Sequence, residues 1–228
     1  MFSHLELTGQ TRTHITQLEH LRCALHHDVV SPFLAMRTAA AKEGIDLWPY
    51  SAFRDFETQL KIWNDKYSGK KTLYDENGLP LDYFSLTEEQ IIRSILRWSA
   101  LPGASRHHWG TEIDVVDRAA TASDYKVKLL PEECQRGGPY YNLHCWLDEN
   151  LSQYGFFRPY ATFQGGVNAE PWHLSYFSLS RQALKGLTLK VLTTAIKDVD
   201  ILGKKWLMEH IEEIYNSYVL NISPPKKK

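Results

Sequence analysis

The stretch SRHHWGTEID, which runs from Ser105 to Asp114, combines imidazole and carboxylate groups within one short segment. Neutral imidazole nitrogen and carboxylate oxygen are both good zinc ligands, and a catalytic zinc takes three protein ligands and one water. His107 and Asp114 could supply two of the three, and Gly110 between them would let the backbone turn tightly. Taken alone, such a pair is more often part of a polar loop than of a metal site.

A second stretch, EPWHLSY, offers the missing ligand. His173 could bind the metal, and Glu170, three residues earlier, could act on a metal-bound water. Pro171 biases Glu170 towards an extended backbone, so the geometry differs from the helical HExxH motif. This stretch alone is also unremarkable, because Trp172 could be an ordinary core residue. The two stretches together, each next to a predicted strand, favour a metal site.

Hydrophobic periodicity predicts the elements that would position these residues. Helical spacing is found over 13–26, 31–44, 54–67, 87–100 and 140–156. Strand patterns are found over 45–53, 112–117 and 172–178. Residues 68–86 are predicted to form an exposed loop, and 180–218 two helices separated near Gly203. Helices that flank short, non-consecutive strands indicate a single α+β domain.

Residues at the predicted helix ends add detail to this prediction. Pro32 is expected in the first turn of the second helix, and Gly44 is expected to end that helix. Thr87 is a predicted N-cap supported by Gln90, and Gly155 is expected to close the helix over 140–156.

The overall composition is that of an ordinary globular protein, with 228 residues, 43% hydrophobic and 23% charged. The 26 basic and 27 acidic residues nearly cancel, which argues against a nucleic-acid partner or an anionic membrane surface. The terminal KKK run is predicted to be a solvated tail. No apolar run reaches membrane-spanning length.

Cysteine usage and the N-terminal residues bear on the compartment. Cys23, Cys134 and Cys145 are an odd set, which argues against a closed disulfide framework but leaves one bridge and a free thiol possible. The first residues lack the pattern of a signal peptide. The sequence as it stands is therefore expected to be cytoplasmic, or periplasmic or secreted if a leader has been removed.

The two stretches resemble the signatures of a known group of enzymes. SRHHWGTEID is similar to the SxHxxGxxxD signature, and EPWH to the ExxH signature, of the zinc D-alanyl-D-alanine peptidases. This group contains VanY-type carboxypeptidases, VanX-type dipeptidases and several phage endolysins, and it shares a fold with the hedgehog signalling domain. SAFRDFETQ and WLDENLSQYGF are also similar to the family segments SGYRSxxxQ and WLxxNxxxYGF, so that the resemblance covers about 48–176.

The resemblance implies a small, mainly antiparallel sheet flanked by helices, and it implies roles for individual residues. Zn²⁺ would be held by His107, Asp114 and His173. Glu170 would take a proton from the zinc-bound water and pass it to the leaving amine. Arg54 would stabilise the oxyanion, unless it pairs as a helix-start arginine with its neighbours Asp55 or Glu57.

Other residues near the motifs have two readings each. Ser105 and Gln59 could bind substrate or cap local backbone. His108 could support the site, although exposure is the expected alternative, and Arg158 could hold a substrate carboxylate or lie at the surface. Four aromatic residues could form cleft walls or core: Trp48, Tyr50, Trp109 and Trp172.

Two positions depart from the family pattern. Glu112 stands where the family usually has alanine, and Ala52 stands where it has glycine. If Glu112 faced the cleft, its negative charge would repel a substrate carboxylate.

The resemblance implies a zinc carboxypeptidase that removes the terminal D-alanine from peptidoglycan stem peptides. The sequence leaves open a peptidoglycan endopeptidase of the endolysin type, or a non-catalytic zinc-containing module of the hedgehog type. The domain is expected to span 1–228, with a motif-bearing core at about 45–180 and a C-terminal helical segment at about 180–218. The partner is a peptidoglycan-derived peptide, and the sequence does not indicate an oligomeric state.

Overall fold

A small antiparallel sheet carries the motif residues. The structure is a computed structural model that describes residues 1–225, so the predicted basic tail at 226–228 lies outside the described residues. The strands are β1 (Ile15–Leu18), β2 (Cys23–His26), β3 (Leu47–Ser51), β4 (Glu112–Asp117), β5 (Phe156–Phe157) and β6 (His173–Tyr176). β3, β4, β6 and β5 form one sheet in that order, and every neighbouring pair is antiparallel.

The predicted strands at 45–53, 112–117 and 172–178 are confirmed as β3, β4 and β6. β4 alternates as a two-faced strand should, since Ile113 and Val115 join a hydrophobic core while Glu112 and Asp114 point to the other face. Strand β6 ends at Tyr176, where the chain turns directly into a helix.

The helix predicted over 13–26 is wrong, because this segment is the hairpin of β1 and β2. Leu18, Leu21 and Leu25 have helical spacing, but all three are buried in the hairpin as well. Arg22 adopts a left-handed conformation (φ 52°) that a helix cannot accommodate and that turns the chain between the strands. The apolar spacing therefore suited both structures, and packing selected the hairpin.

The helices cover most of the rest of the chain. They are α1 (His4–Leu7), α2 (His27–Lys42), α3 (Phe56–Tyr67), α4 (Glu88–Trp98), α5 (Tyr141–Asn150), α6 (Phe177–Gly186), α7 (Leu189–Ile196), α8 (Lys204–Glu209) and α9 (Ile211–Ile214). α5 continues into a 3₁₀ turn at Leu151–Tyr154, and α9 continues into a π-helical turn at Tyr215–Leu220.

The predicted helix boundaries hold in most places. α4 begins with the Thr87–Gln90 capping box, and Gly155 closes the α5 segment with φ 80°. α2 ends as predicted just before Gly44, but it begins earlier than predicted, because the His26 side chain accepts a hydrogen bond from the Asp28 amide. Pro32 therefore lies in the second turn rather than the first.

The C-terminal segment contains more breaks than predicted. Instead of two helices separated near Gly203, it forms α6 to α9 and the π-helical turn. The additional break after α6 arises because Thr188 starts a new helix by accepting a hydrogen bond from the Val191 amide. These helices form one hydrophobic core with α3 and α4.

A second core lies between the sheet, α2 and α5. The motif residues occupy the boundary between the two cores, where loops and the 3₁₀ turn Arg106–Trp109 meet the sheet. Cys23, Cys134 and Cys145 are all unbridged. None of the helices within residues 1–225 combines the length and apolarity needed to cross a bilayer.

Candidate metal centre and active site

Strand register places two of the predicted ligands side by side. Asp114 on β4 is directly opposite His173 on β6, and Glu112 is directly opposite Ser175. Opposed residues on antiparallel strands point to the same face and their side chains touch. His173 Nδ1 accordingly lies 3.0 Å from Asp114 Oδ1. Two predicted ligands that are 59 residues apart in sequence are thus brought together by sheet pairing.

The third predicted ligand, His107, comes from the 3₁₀ turn before β4. Gly110 ends this turn with φ 66°, and a Cβ atom there would lie 2.6 Å from the His26 backbone nitrogen. The His26 amide also donates a hydrogen bond to the Gly110 carbonyl (2.8 Å). The tight turn predicted at Gly110 is therefore held against the N-terminal hairpin, which no other residue type would allow without displacement.

The donor atoms of His107, Asp114 and His173 all lie within 4.8 Å of one another, and all three residues are buried. His107 Nδ1 is 2.7 Å from the Ala52 carbonyl, an acceptor, so the ring proton resides on Nδ1 and Nε2 is available as a ligand atom. Two imidazoles and one carboxylate match the donor set of a catalytic zinc site with an open position. These residues fit Zn²⁺.

Glu112 lies behind His173 and away from the cleft. It is fully buried, and its Oε2 is 2.9 Å from His173 Nε2. Arg106 binds it with two hydrogen bonds of 3.2 Å, and Ser175 donates another of 2.8 Å. Glu112 can thus accept the Nε2 proton of His173 and leave Nδ1 for the metal. The repulsion considered for a cleft-facing Glu112 does not arise.

The carboxylates around His173 create a site for positive charge. Burial alone would lower the pKa of His173, but the hydrogen bonds with Asp114 and Glu112 raise it to about 10. Burial also opposes ionisation of Asp114, yet His107 and His173 hold its pKa well below the usual range. A divalent cation would replace the proton of the His173 imidazolium as the positive charge between these carboxylates. Metal binding and proton release are coupled at such ligands.

Glu170 stands at the edge of the donor set and is not part of it. Its Oε2 is 3.6 Å from His173 Nδ1, and the residue lies outside any helix, as Pro171 predicted. Burial raises the pKa of Glu170 to about 7. A carboxylate with a pKa near neutrality can both accept and return a proton, which suits a general base.

Arg54 lies in the same cleft, and hydrogen bonds determine its position. Its Nη1 donates to Gln59 Oε1 (2.8 Å) and its Nη2 to Ser51 Oγ (3.0 Å). The alternative pairing with Asp55 is wrong, because Asp55 instead caps α3 by accepting from the Thr58 amide. The second alternative partner, Glu57, likewise makes no ion pair with Arg54 within residues 1–225.

Both polar atoms of the Gln59 side chain take part in this arrangement. Its amide nitrogen donates to the Ala100 carbonyl (2.7 Å) while its oxygen accepts from Arg54, and the side chain is buried outside the cleft. The contacts favour a role in positioning Arg54 over direct contact with substrate. Ser105 is buried as well but lines the cleft, so its role as a substrate ligand stays a prediction.

His108 is fully buried, so the expectation that it is exposed is wrong. Its Nδ1 donates to the Arg54 carbonyl (2.6 Å), and its Nε2 accepts from the Gly103 amide (3.1 Å). Burial lowers the pKa of His108 to about 3, so the ring is neutral and this donor–acceptor pattern is stable. His108 thereby holds the backbone of the residue that carries the predicted oxyanion donor.

Arg158 does not line the cleft, which argues against its predicted contact with a substrate carboxylate. It forms an ion pair with Asp148 and donates to the Pro171 carbonyl (2.8 Å). Arg158 therefore stabilises the backbone next to Glu170 through this hydrogen bond.

Of the four aromatic residues considered as cleft walls, only Trp172 lines the cleft. Trp109 is buried beneath Arg106, and its indole donates to the Leu7 carbonyl (3.0 Å). Trp48 packs against Arg118, and Tyr50 is largely exposed.

The cleft in front of the donor set has a volume of about 700 Å³. The loop predicted over 68–86 forms one of its walls, and the segment 126–132 forms another. The sequence did not single out Tyr160, whose ring lies 5.1 Å from the His173 ring. It also did not single out the lysines that line the cleft. No local pattern marks such residues, since they belong to a helix end and to loops.

Comparison with known proteins identifies a family and several relatives of this chain. The model of the VanY family, D-alanyl-D-alanine carboxypeptidase, matches residues 22–179. An uncharacterized protein of Haemophilus influenzae is 36% identical over 53% of this chain and 93% of its own length. A D-alanyl-D-alanine carboxypeptidase of Enterococcus faecalis is 27% identical over 72% of this chain, which spans about half of that relative (53%).

Two solved structures share the fold. VanYB in complex with D-Alanine-D-Alanine has 22% identity and a TM-score of 0.55, over 83% of this chain and 91% of that one. A D,D-pentapeptidase VanY variant in complex with Zn(II) has 21% identity and a TM-score of 0.52, over 85% and 88%. The single α+β domain with small antiparallel sheets flanked by helices is therefore the VanY-type, hedgehog-like fold. Because the family model matches more than half of the chain, the protein belongs to the VanY family of D-alanyl-D-alanine carboxypeptidases.

Proposed function

We propose that this protein is a zinc-dependent carboxypeptidase that removes the terminal D-alanine from peptidoglycan stem peptides. The observation that carries the proposal is the convergence of His107, Asp114 and His173 beside Glu170 in one cleft. Family membership supports the peptidase class. The retained Glu170 and Arg54 favour an enzyme over a non-catalytic module, because a module that only holds zinc has no need of a buried base and an oxyanion donor.

The residues of the chain divide the reaction between them. When bound, zinc supplies Lewis acidity, which lowers the pKa of a coordinated water to about 7 and polarises the scissile carbonyl. The Glu170 carboxylate takes the proton of the attacking water and delivers it to the leaving amine. The Arg54 guanidinium faces the oxygen on which negative charge develops, and Gln59 and Ser51 hold it in place.

The electrostatics of the cleft suit a substrate that ends in a carboxylate. The carboxylate of Glu112 points away from the cleft and is neutralised by Arg106. Arg54 and four lysines line the cleft: Lys66, Lys71, Lys126 and Lys128. A surplus of positive charge beyond the metal ligands favours an anionic peptide end.

Purified muropeptides with pentapeptide stems provide the direct test. We expect the zinc-loaded protein to release one alanine from the stem, which mass spectrometry of the products detects. An all-L pentapeptide of equal length is the control and should be cleaved far more slowly. Comparable cleavage of the all-L peptide, or cleavage only inside the stem or cross-link, would instead indicate another peptidase specificity. Absence of cleavage by zinc-loaded protein would favour the non-catalytic module.

Arg54→Ala is expected to lower kcat by roughly 10²- to 10³-fold, the usual effect of removing one oxyanion donor. Arg54→Lys should recover little of this loss, because an ammonium lacks the planar pair of donors that Gln59 and Ser51 align. Steady-state kinetics on the pentapeptide gives both parameters. An effect confined to KM would reassign Arg54 to substrate binding.

A further inference from the structure

Lys66 is a cation inside the cleft that forms no ion pair within residues 1–225. It lies in the last turn of α3, its side chain lines the cleft, and its ammonium donates to the Ser99 hydroxyl at 2.6 Å. An ammonium has three donors, and this contact uses one of them. Within residues 1–225, no carboxylate lies within ion-pair distance of Lys66. Burial lowers its pKa to about 8, which still leaves the side chain mostly charged at neutral pH.

Two other cations near the site are already in ion pairs. Arg158 is bound to Asp148, and Arg106 to Glu112. Arg106 lines the cleft, and its Nη1 lacks a partner within the described residues, so it can add a hydrogen bond there but no unbalanced charge. Arg54 makes no ion pair within residues 1–225, but Gln59 and Ser51 hold its guanidinium and it feels the negative charges of Asp114 and Glu170. Lys66 feels the charge of Glu170 as well, but at a separation beyond ion-pair distance.

The remaining lysines of the cleft lie nearer to solvent. Lys71, Lys126 and Lys128 are exposed, whereas Lys66 is only partly exposed. Lys128 also pairs with Glu132 (3.5 Å). A charge that water screens contributes little to binding, while a partly desolvated ammonium gains much more from an anion placed next to it. Lys66 is therefore the lysine from which a bound carboxylate would gain most.

We propose that Lys66 binds the C-terminal carboxylate of the peptide substrate, an inference that rests on the proposed carboxypeptidase function. Such a contact gives the partly buried ammonium a carboxylate counter-ion, which residues 1–225 do not place within ion-pair distance. It also selects a free chain end over an internal peptide bond. In a terminal bond the residue after the cleaved bond ends in a carboxylate, whereas after an internal bond the chain continues as another amide. The same ammonium could instead meet a carboxylate within the stem, and the substrates of the test separate these two sources.

The first test compares an acylated peptide ending in D-Ala-D-Ala with its C-terminal amide. The wild type should prefer the free acid. Lys66→Met should lower kcat/KM for the acid by roughly 10- to 100-fold, as expected for a hydrogen-bonded charge, and leave the amide unchanged. Lys61→Met is the matched control, because Lys61 lies on the same helix but outside the cleft and pairs with Asp65, and this variant should keep the preference. Zinc content and circular dichroism check that each variant is folded, and Lys66→Gln replaces Lys66→Met if that variant fails to fold.

A third peptide keeps its free C-terminus but has its internal carboxylates amidated. It should show the same dependence on Lys66 as the unmodified acid. If the dependence disappears with the internal carboxylates, Lys66 recognises the stem and the proposal is overturned. Equal kcat/KM for acid and amide in the wild type, or an unchanged preference in Lys66→Met, also overturns it.

Calorimetry on the zinc-loaded Glu170→Gln variant separates this proposal from the proposed function. The acid should bind more tightly than the amide, and adding Lys66→Met should abolish the difference. If the wild type cleaves neither peptide while this Lys66-dependent difference persists, the peptidase function fails and the carboxylate site stands. If cleavage occurs but binding of acid and amide is equal, the function stands and the carboxylate site fails.

Discussion

Glu170→Gln should lose roughly 10²- to 10⁴-fold in kcat while keeping its zinc and its fold, the range expected when a general acid–base group is removed. The amide has nearly the size of the carboxylate but cannot take a proton from water. Glu170 is outside the set of three converging donors, so zinc content should be unaffected. Steady-state kinetics on the pentapeptide together with metal analysis measures both quantities.

Glu132→Gln is the matched control for this substitution. Glu132 also lines the cleft, but its side chain is largely exposed and pairs with Lys128. Removing that charge should change kcat by no more than about 2-fold, because exposed ion pairs contribute little. Wild-type turnover in Glu170→Gln would exclude it as the base, and loss of zinc in that variant would make it a ligand.

Asp114→Ala and His173→Ala should each lose the tightly bound zinc, and with it all activity. Each substitution removes one of the three proposed protein ligands, and it also leaves the opposing strand partner without its contact. Metal analysis after dialysis measures zinc per chain, and circular dichroism confirms that the variant remains folded. Unchanged zinc in both variants would disprove the ligand assignment.

Glu112→Gln provides an intermediate case in the same experiment. The amide oxygen can still accept the Nε2 proton of His173, but the charge that supports the ring is gone. Zinc affinity should therefore fall by about 10- to 100-fold, the usual effect of altering the partner of a metal-binding histidine, rather than disappear. Chelator competition resolves this difference. Zinc affinity equal to that of wild type would show that the negative charge of Glu112 is not needed to support His173 as a ligand.

The N-terminal hairpin shows where local patterns stop being informative. Its leucines fit a helix and a hairpin equally well, and the choice is decided by contacts with residues far along the chain. The His26 amide binds the Gly110 carbonyl, and His14 Nε2 lies 3.0 Å from the His108 carbonyl. These contacts join the hairpin to the metal-binding loop, and they exist only after both segments have folded.

The sequence did not determine where the side chains of Glu112 and His108 point, although both belong to the motif from Ser105 to Asp114. Along a strand, side chains alternate, so the position of Glu112 two residues before Asp114 places both on one face. Whether that face opens to the cleft or to a buried network depends on Arg106 and Ser175, which approach from a turn and from another strand. His108 is buried for a comparable reason, because Arg54 and Gly103 surround it.

The sequence by itself determined the features that depend on short-range geometry: the alternation of EIDVVD, the capping box at Thr87, the tight turn at Gly110 and the order of the motif residues. Each follows from hydrogen bonds or steric limits between residues close in the chain. Only the tertiary structure decided that Glu112 contacts His173 on the side away from the cleft, and that Lys66 lines the cleft without an ion pair among residues 1–225. Those outcomes depend on which segments pack together, because burial and charge pairing are properties of spatial neighbours that a linear pattern does not contain.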